Sequence, residues 1–207
     1  MKYRSLSVAT DPAVEPVTLA EAKTHLRVDI DDDNDYISAL ITSARIYAEE
    51  YLDRALVSQQ LTMRMDTFPY EFELPRPPMA ASGTLTATTV TYSIDPGSSG
   101  TATPTTTTLS ADTYRVDREA TPGKIRTVYN GTWPSHLTDP NAVSVTWWAG
   151  YGPAGSDVPQ AIKSAMLMLV AHLYENRQAA VATGAVPQDV PFGVKALLNT
   201  AKWGSYK

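Results

Sequence analysis

The chain has 207 residues, of which 43% are hydrophobic and 19% charged, a globular composition that excludes a disordered or fibrous protein. Its net charge of -5 argues against a surface that grips nucleic acid, because sequence-independent affinity for phosphates comes from clustered Lys and Arg. The absence of cysteine excludes disulfides, thiolate metal sites and a cysteine nucleophile together.

No membrane association is expected: the longest apolar run, Ala165 to Ala171, falls far short of the ~20 residues that a span needs, and the N-terminus lacks a signal-peptide core. In PVTLAEAKTHLRV (16–28), Thr18 and Glu21 stand three apart as a capping box, which predicts a helix over about 19–27. The next stretch, VDIDDDNDYISAL (28–40), packs Asp29, Asp31, Asp32, Asp33 and Asp35 into seven positions. It is no calcium loop. Counted from Asp29, the sixth position is Asn34 where an EF-hand needs glycine, and the twelfth is Leu40 where it needs glutamate. Carboxylates at a helix start meet orphan N–H groups and the positive end of the dipole, so Asp32 or Asp33 is the expected cap.

A long amphipathic helix follows, with Tyr36, Ile37, Leu40, Ile41, Ala44, Tyr47, Ala48, Tyr51 and Leu52 at three and four residue spacing, ending near Arg54. Arg45 with Glu49 and Glu50 with Arg54 are read as i,i+4 pairs on its outer face. From Leu56 the period changes to two. Strands are predicted through Met65 and over 71–74, 85–94, 113–116, 125–129 and 142–149, separated by PRPP, DPGSSG, TPG and NGTWP turns. In the last strand Val143, Val145 and Trp147 share one face and Ser144, Thr146 and Trp148 the other. The threonine-rich segment 98–108 has little apolar surface to offset ordering and is expected to be a mobile or partner-ordered loop.

Helical periodicity returns at Pro159. Ile162, Ala165, Met166, Leu169 and Leu173 form a stripe that Leu167, Met168 and Val170 widen almost to the full circumference. Such a helix needs burial by its own domain or by a neighbouring subunit, which makes Met166, Leu167, Met168 and Val170 subunit-interface candidates, with Trp148 beside them. A short helix over about 191–202 leads to a tail whose Lys202, Trp203, Tyr206 and Lys207 either fold back or dock on a partner. The expected fold is α+β: a helical core from the N-terminal (1–55) and C-terminal (151–207) parts, with an antiparallel β segment (56–150) inserted between them.

Catalytic chemistry finds little support. His25, His136 and His172 share no metal spacing; His172 and Glu175 form only half of a di-iron motif, and no nucleophile elbow, P-loop, dinucleotide fingerprint or zinc-protease motif is present. Neither an enzymatic activity nor a cofactor is expected.

Taken together, PVTLAEAKTHLRVD, DDNDYISALITSARIYAEEYLDRAL, ELPRPP, TYRVD, NAVSVTWWAGYG, VPQAIKSAMLMLVAHLYENR and PFGVKALL resemble the head-tail connector (adaptor, head-completion) proteins of tailed phages and gene transfer agents. The resemblance covers most of the chain in order and omits the threonine-rich segment. It implies a structural virion protein at the head-tail interface, assembled in the host cytoplasm, that forms a ring, commonly of twelve copies. The ring would dock on the portal, extend the DNA channel without binding DNA specifically, and present a surface to the stopper or tail protein. The C-terminal tail, here about 199–207, would engage the portal. The aspartates beyond the one cap are read either as a solvated turn or, if they face the channel, as part of an acidic lumen. Two other classes compete: a β-rich carbohydrate- or protein-binding module using Trp148, and a metal-dependent enzyme using the aspartate cluster.

Overall fold

The computed structural model describes residues 3–80, 88–94, 104–177 and 191–202. The described residues form a mixed α+β structure of four helices and two antiparallel sheets, and the chain divides into two compact units. One comprises 1–13 and 58–151; the other comprises 14–57 and 152–207.

The first unit contains every strand among the described residues. Its larger sheet has the order β1-β2-β8-β4-β5, formed by β1 (Ser5–Thr10), β2 (Gln59–Met65), β4 (Thr89–Ile94), β5 (Thr105–Thr108) and β8 (Val143–Ala149). The smaller is β3-β7-β6, from β3 (Glu71–Glu73), β6 (Tyr114–Asp117) and β7 (Lys124–Thr127). The period-two pattern decides which face is inward. Leu61, Met63 and Met65 on β2 stand opposite Trp147, Val145 and Val143 on β8, and all six are buried. Each such side chain gains about 1.5–3 kcal/mol from leaving water. The smaller sheet buries Phe72 and Ile125, which are direct cross-strand partners, and Tyr114, whose hydroxyl donates to the Thr88 carbonyl at 2.7 Å.

Two strands depart from the sequence reading. β1 was not anticipated; it pairs with β2 along an irregular register, and so residues 1–13 cluster with the sheets. The threonine segment is a correction. Residues 98–103 lie outside the described residues, but Thr105–Thr108 form the edge strand β5, antiparallel to β4 with Thr91 opposite Thr108. Threonine is β-branched and suits a pleated edge, and backbone pairing supplies what the segment lacks in apolar surface.

The second unit holds α1 (Leu19–Leu26), α2 (Asn34–Leu52), α3 (Gln160–Glu175) and α4 (Phe192–Ala201). α3 packs against each of the other three, and α2 also meets α4. α1 opens on a complete capping box: Thr18 Oγ1 accepts from the Glu21 N–H at 3.2 Å, and Glu21 Oε2 accepts from the Thr18 N–H at 2.8 Å. α1 and α2 each close on a left-handed residue, Arg27 (φ 58°) and Asp53 (φ 50°), where glycine is the usual choice. Among the described residues, no helix is long and apolar enough to cross a membrane.

The face of α2 assigned to solvent is a further correction. Arg45 and Glu49 are buried, at 9% and 4% exposure. Arg45 Nε donates to Glu15 Oε2 at 2.8 Å and its Nη1 to Glu49 Oε2 at 3.1 Å, while Glu49 Oε1 accepts the Leu56 N–H at 2.9 Å. Thr42 Oγ1 donates to the other Glu15 oxygen at 2.9 Å. One guanidinium therefore holds two carboxylates from separate segments, and the geometry is charge-assisted throughout. Gly155 admits this arrangement: a Cβ there would stand 2.7 Å from the Glu15 carbonyl oxygen and 2.9 Å from that of Pro16.

Candidate partner and subunit interfaces

α3 is fixed at both ends by carboxylates from the N-terminal helices. Near its start, Lys163 Nζ donates to Glu21 Oε1 at 2.8 Å, and the ammonium is largely buried. The Lys163 hydrogen bond, followed by that from the Thr18 backbone, lowers the Glu21 pKa to about 2. At its end, the Tyr174 hydroxyl and Arg177 Nη2 both donate to the Asp33 carboxylate, and the Arg177 guanidinium lies 4.6 Å from the Tyr36 ring centroid and 5.1 Å from that of Tyr174. The Tyr174 hydrogen bond, with Arg177 behind it, holds Asp33 below the usual carboxylate range, and the same carboxylate raises Tyr174.

Asp33 is thus placed at the N-cap position of α2 without acting as the side-chain cap that the sequence suggested. Its carboxylate serves a partner 141 residues away. Asp31 pairs with Lys23 Nζ at 2.7 Å and accepts from Asn34 Nδ2 at 3.1 Å, both of which lower its pKa, the lysine more. Asp32, the other expected cap, lies exposed at the turn. Among the described residues, no three His, Cys, Asp or Glu side chains are grouped to hold a metal ion.

The Glu21 clamp has a measurable pH signature. Its folded pKa lies below its unfolded value of 4.5, so its contribution is fully present above that value and is lost as pH falls toward about 2. Glu21→Gln is expected to flatten the acid side of the stability curve between these limits, as read by urea titrations at stepped pH. An unchanged acid limb would show that the lysine contact contributes nothing.

The interface candidates separate on burial. Met166 and Val170 are 1% exposed within their own subunit, covered by the helices packed on α3, and are not available to another copy. Leu167 is half-buried and Met168 is 36% exposed. Beside Met168 lies the start of α4, where a Cβ on Gly193 would come 2.8 Å from the methionine methyl, and the preceding Phe192 is 86% exposed. Phe192, which the sequence reading did not single out, thus joins Met168 as an exposed apolar side chain; the signal was a phenylalanine on the first turn of α4, after a polar run and Pro191. Lys202 sits with its ammonium 5.1 Å from the Tyr51 ring centroid, against α2 of its own unit. Trp203, Tyr206 and Lys207 lie outside the described residues.

Trp148 is half-buried on the hydroxyl-bearing face of β8, opposite Gln60, and its carbonyl accepts the Ala80 N–H at 3.0 Å. It is not an open aromatic platform. The aromatic groups that stand clear of the first unit are Tyr70 and Tyr129, at 82% and 94% exposure. The β3–β7 register puts both beyond the same end of that pair, near the stack of Phe68 on Trp133 at 4.7 Å.

Residues 16–92 match the family model described as phage gp6-like head-tail connector protein. No curated protein matches the chain significantly. Three solved structures share the fold along nearly its whole length. One is a chain from the neck of an empty gene transfer agent (GTA) particle computed with C6 symmetry: TM-score 0.70 and 23% identity, covering 95% of this chain and 94% of that one. Another is a chain from the virion of a native GTA particle, at 0.68 and 22% identity over 94% and 93% of the two chains. The third comes from the neck of a native GTA particle computed with C12 symmetry, at 0.61 and 23% identity over 95% and 93%. The chain thus carries, over residues 16–92, the sequence signature of the phage gp6-like head-tail connector family, on a fold that it shares with chains of GTA particles.

Proposed function

We propose that the protein is a structural connector subunit at the head-tail junction of a phage-like particle, without catalysis. The observation that carries this reading is the connector match over 16–92, which takes in α1 and α2, joined to a fold common to GTA neck chains. Copies form a ring that docks on the portal, extends the DNA channel and offers its far side to a stopper or tail protein; the C12 symmetry of one neck supports twelve copies. The helical unit is the connector core, and the chain interleaves it with the β unit, which takes in 1–13 as well as the segment 58–151. The tail from about 199 to 207 engages the portal.

Ring contacts are heterologous: one face of each subunit meets a different face of the next. Met168 and Phe192 are an exposed apolar pair suited to such burial. Mixing the full chain with purified portal should give a stacked ring by negative-stain electron microscopy. Met168→Ser with Phe192→Ser should reduce ring occupancy several-fold while leaving the thermal midpoint of the isolated subunit within a few degrees. A chain that stays monomeric and never binds portal would sink the reading; rings unaffected by the double substitution would remove only the patch from it.

A further inference from the structure

The face of the larger sheet away from the core is almost free of charge. One row runs Ser5, Arg64, Ser144, Thr91 and Thr108 across all five strands, and the row beside it pairs Thr62 with Thr146, whose hydroxyls are 2.9 Å apart. The Arg64 side chain is exposed and makes no hydrogen bond or ion pair among the described residues. The adjacent carboxylate does not neutralise it. Asp66 accepts both its close contacts from Arg4 Nε, at 2.5 and 2.7 Å, and a third from the Asn141 N–H at 3.0 Å. Arg64, Thr91, Ser93, Thr106, Asn141 and Ser144 line a depression of about 310 Å³.

We propose that this depression binds a phosphate group, with Arg64 as its anchor and the surrounding hydroxyls and the Asn141 side-chain amide as neutral donors. A guanidinium presents a planar fork that engages two oxygens of an oxyanion. Hydroxyl hydrogens rotate to meet the remaining oxygens. A carboxylate has two oxygens and would leave most of these donors unused; a phosphate has enough to engage both fork and hydroxyls. The phosphate is either free or part of a DNA backbone. The site itself does not depend on the connector reading, but the DNA source rests on it. One such contact per subunit fits an acidic chain, because a single phosphate contributes a salt slope of only about 0.9.

Titration of inorganic phosphate against chloride at matched ionic strength, followed by NMR of the labelled full chain, should give saturable shifts at the Arg64 Nε–H and at the Thr91 and Ser144 amides. Arg64→Gln should weaken binding roughly tenfold or more, as expected for loss of a charged hydrogen bond, without changing circular dichroism. Arg64→Lys should fall between, keeping the charge and losing the fork. Shifts that do not saturate, or that persist in Arg64→Gln, overturn the proposal, as does a polyglutamate peptide that binds through Arg64 where phosphate does not. A labelled DNA duplex at low salt identifies the source. Weaker duplex binding by Arg64→Gln, with a salt slope reduced by about 1, assigns the DNA backbone. Saturable phosphate binding with duplex affinity unchanged assigns free phosphate; either result upholds the site.

Discussion

Arg45→Met is expected to destabilise the helical unit by about 3 kcal/mol or more, a loss visible as a lower urea midpoint by far-UV circular dichroism. Arg45 bridges Glu15 and Glu49, and the Glu49 side chain is only 5% exposed. Methionine fills similar volume, so the loss comes from leaving an anion buried beside another anion. The fall belongs to the lower part of the ~3–5 kcal/mol range for broken buried pairs, because Glu15 is 30% exposed and keeps some water. A control isolates the cause. Arg45→Met combined with Glu49→Gln should recover much of the loss, since the amide oxygen can still accept the Leu56 N–H and no buried charge remains. If Arg45→Met costs under about 1 kcal/mol, the network is no stronger than a surface ion pair.

The second large effect concerns the neighbouring tryptophans of β8. Trp147→Ala is expected to cost ~3–5 kcal/mol by opening a cavity in the sheet core, whereas Trp148→Ala should cost about 1 kcal/mol or less. Trp147 is fully buried opposite Leu61; Trp148 is half-buried on the polar face. Trp147→Phe should be much milder than alanine for two reasons. It preserves most of the apolar volume, and it removes an indole N–H that finds no acceptor among the described residues. Thermal denaturation of the three variants, monitored by near-UV circular dichroism, ranks them; equal losses for the two alanine variants would contradict the assigned faces.

That pair also shows what was legible in the sequence. β8 alternates without a break over Val143–Ala149, and one residue of register error would have turned Trp147 outward, so the pattern determines the face. α2 was readable for the same reason, with five turns of consistent spacing. β1 was not, because most of its residues are exposed on both faces and no alternation is written into it. β5 was hidden by its composition: four threonines carry no hydrophobic signal, and only pairing with β4 makes them a strand.

The site errors have a common physical origin in long-range partners. Arg45 and Glu49 stand four apart, the spacing of a solvent-facing pair, and nothing local reveals that Glu15 will reach them from the preceding segment. Asp33 sits where a helix cap belongs, but the acceptor is taken by Tyr174 and Arg177. The apolar girdle of α3 specified burial without specifying by what. In the structure its own helices cover Met166 and Val170, while Met168 stays partly exposed, as does Phe192.

The division of the helical unit between 14–57 and 152–207 bears on how the protein is made. During synthesis α1 and α2 emerge with their apolar stripe exposed, and neither α3 nor α4 yet exists to cover it. The clamps that Glu21 and Asp33 form await Lys163, Tyr174 and Arg177, and the last buried side chain described in the unit, Leu198, lies in α4. The β unit, whose described strands end at Ala149, can be complete on the ribosome while the helical unit is still half a core. Premature termination between Ala149 and α4 would therefore release a chain with a folded sheet and an open, adhesive helical face.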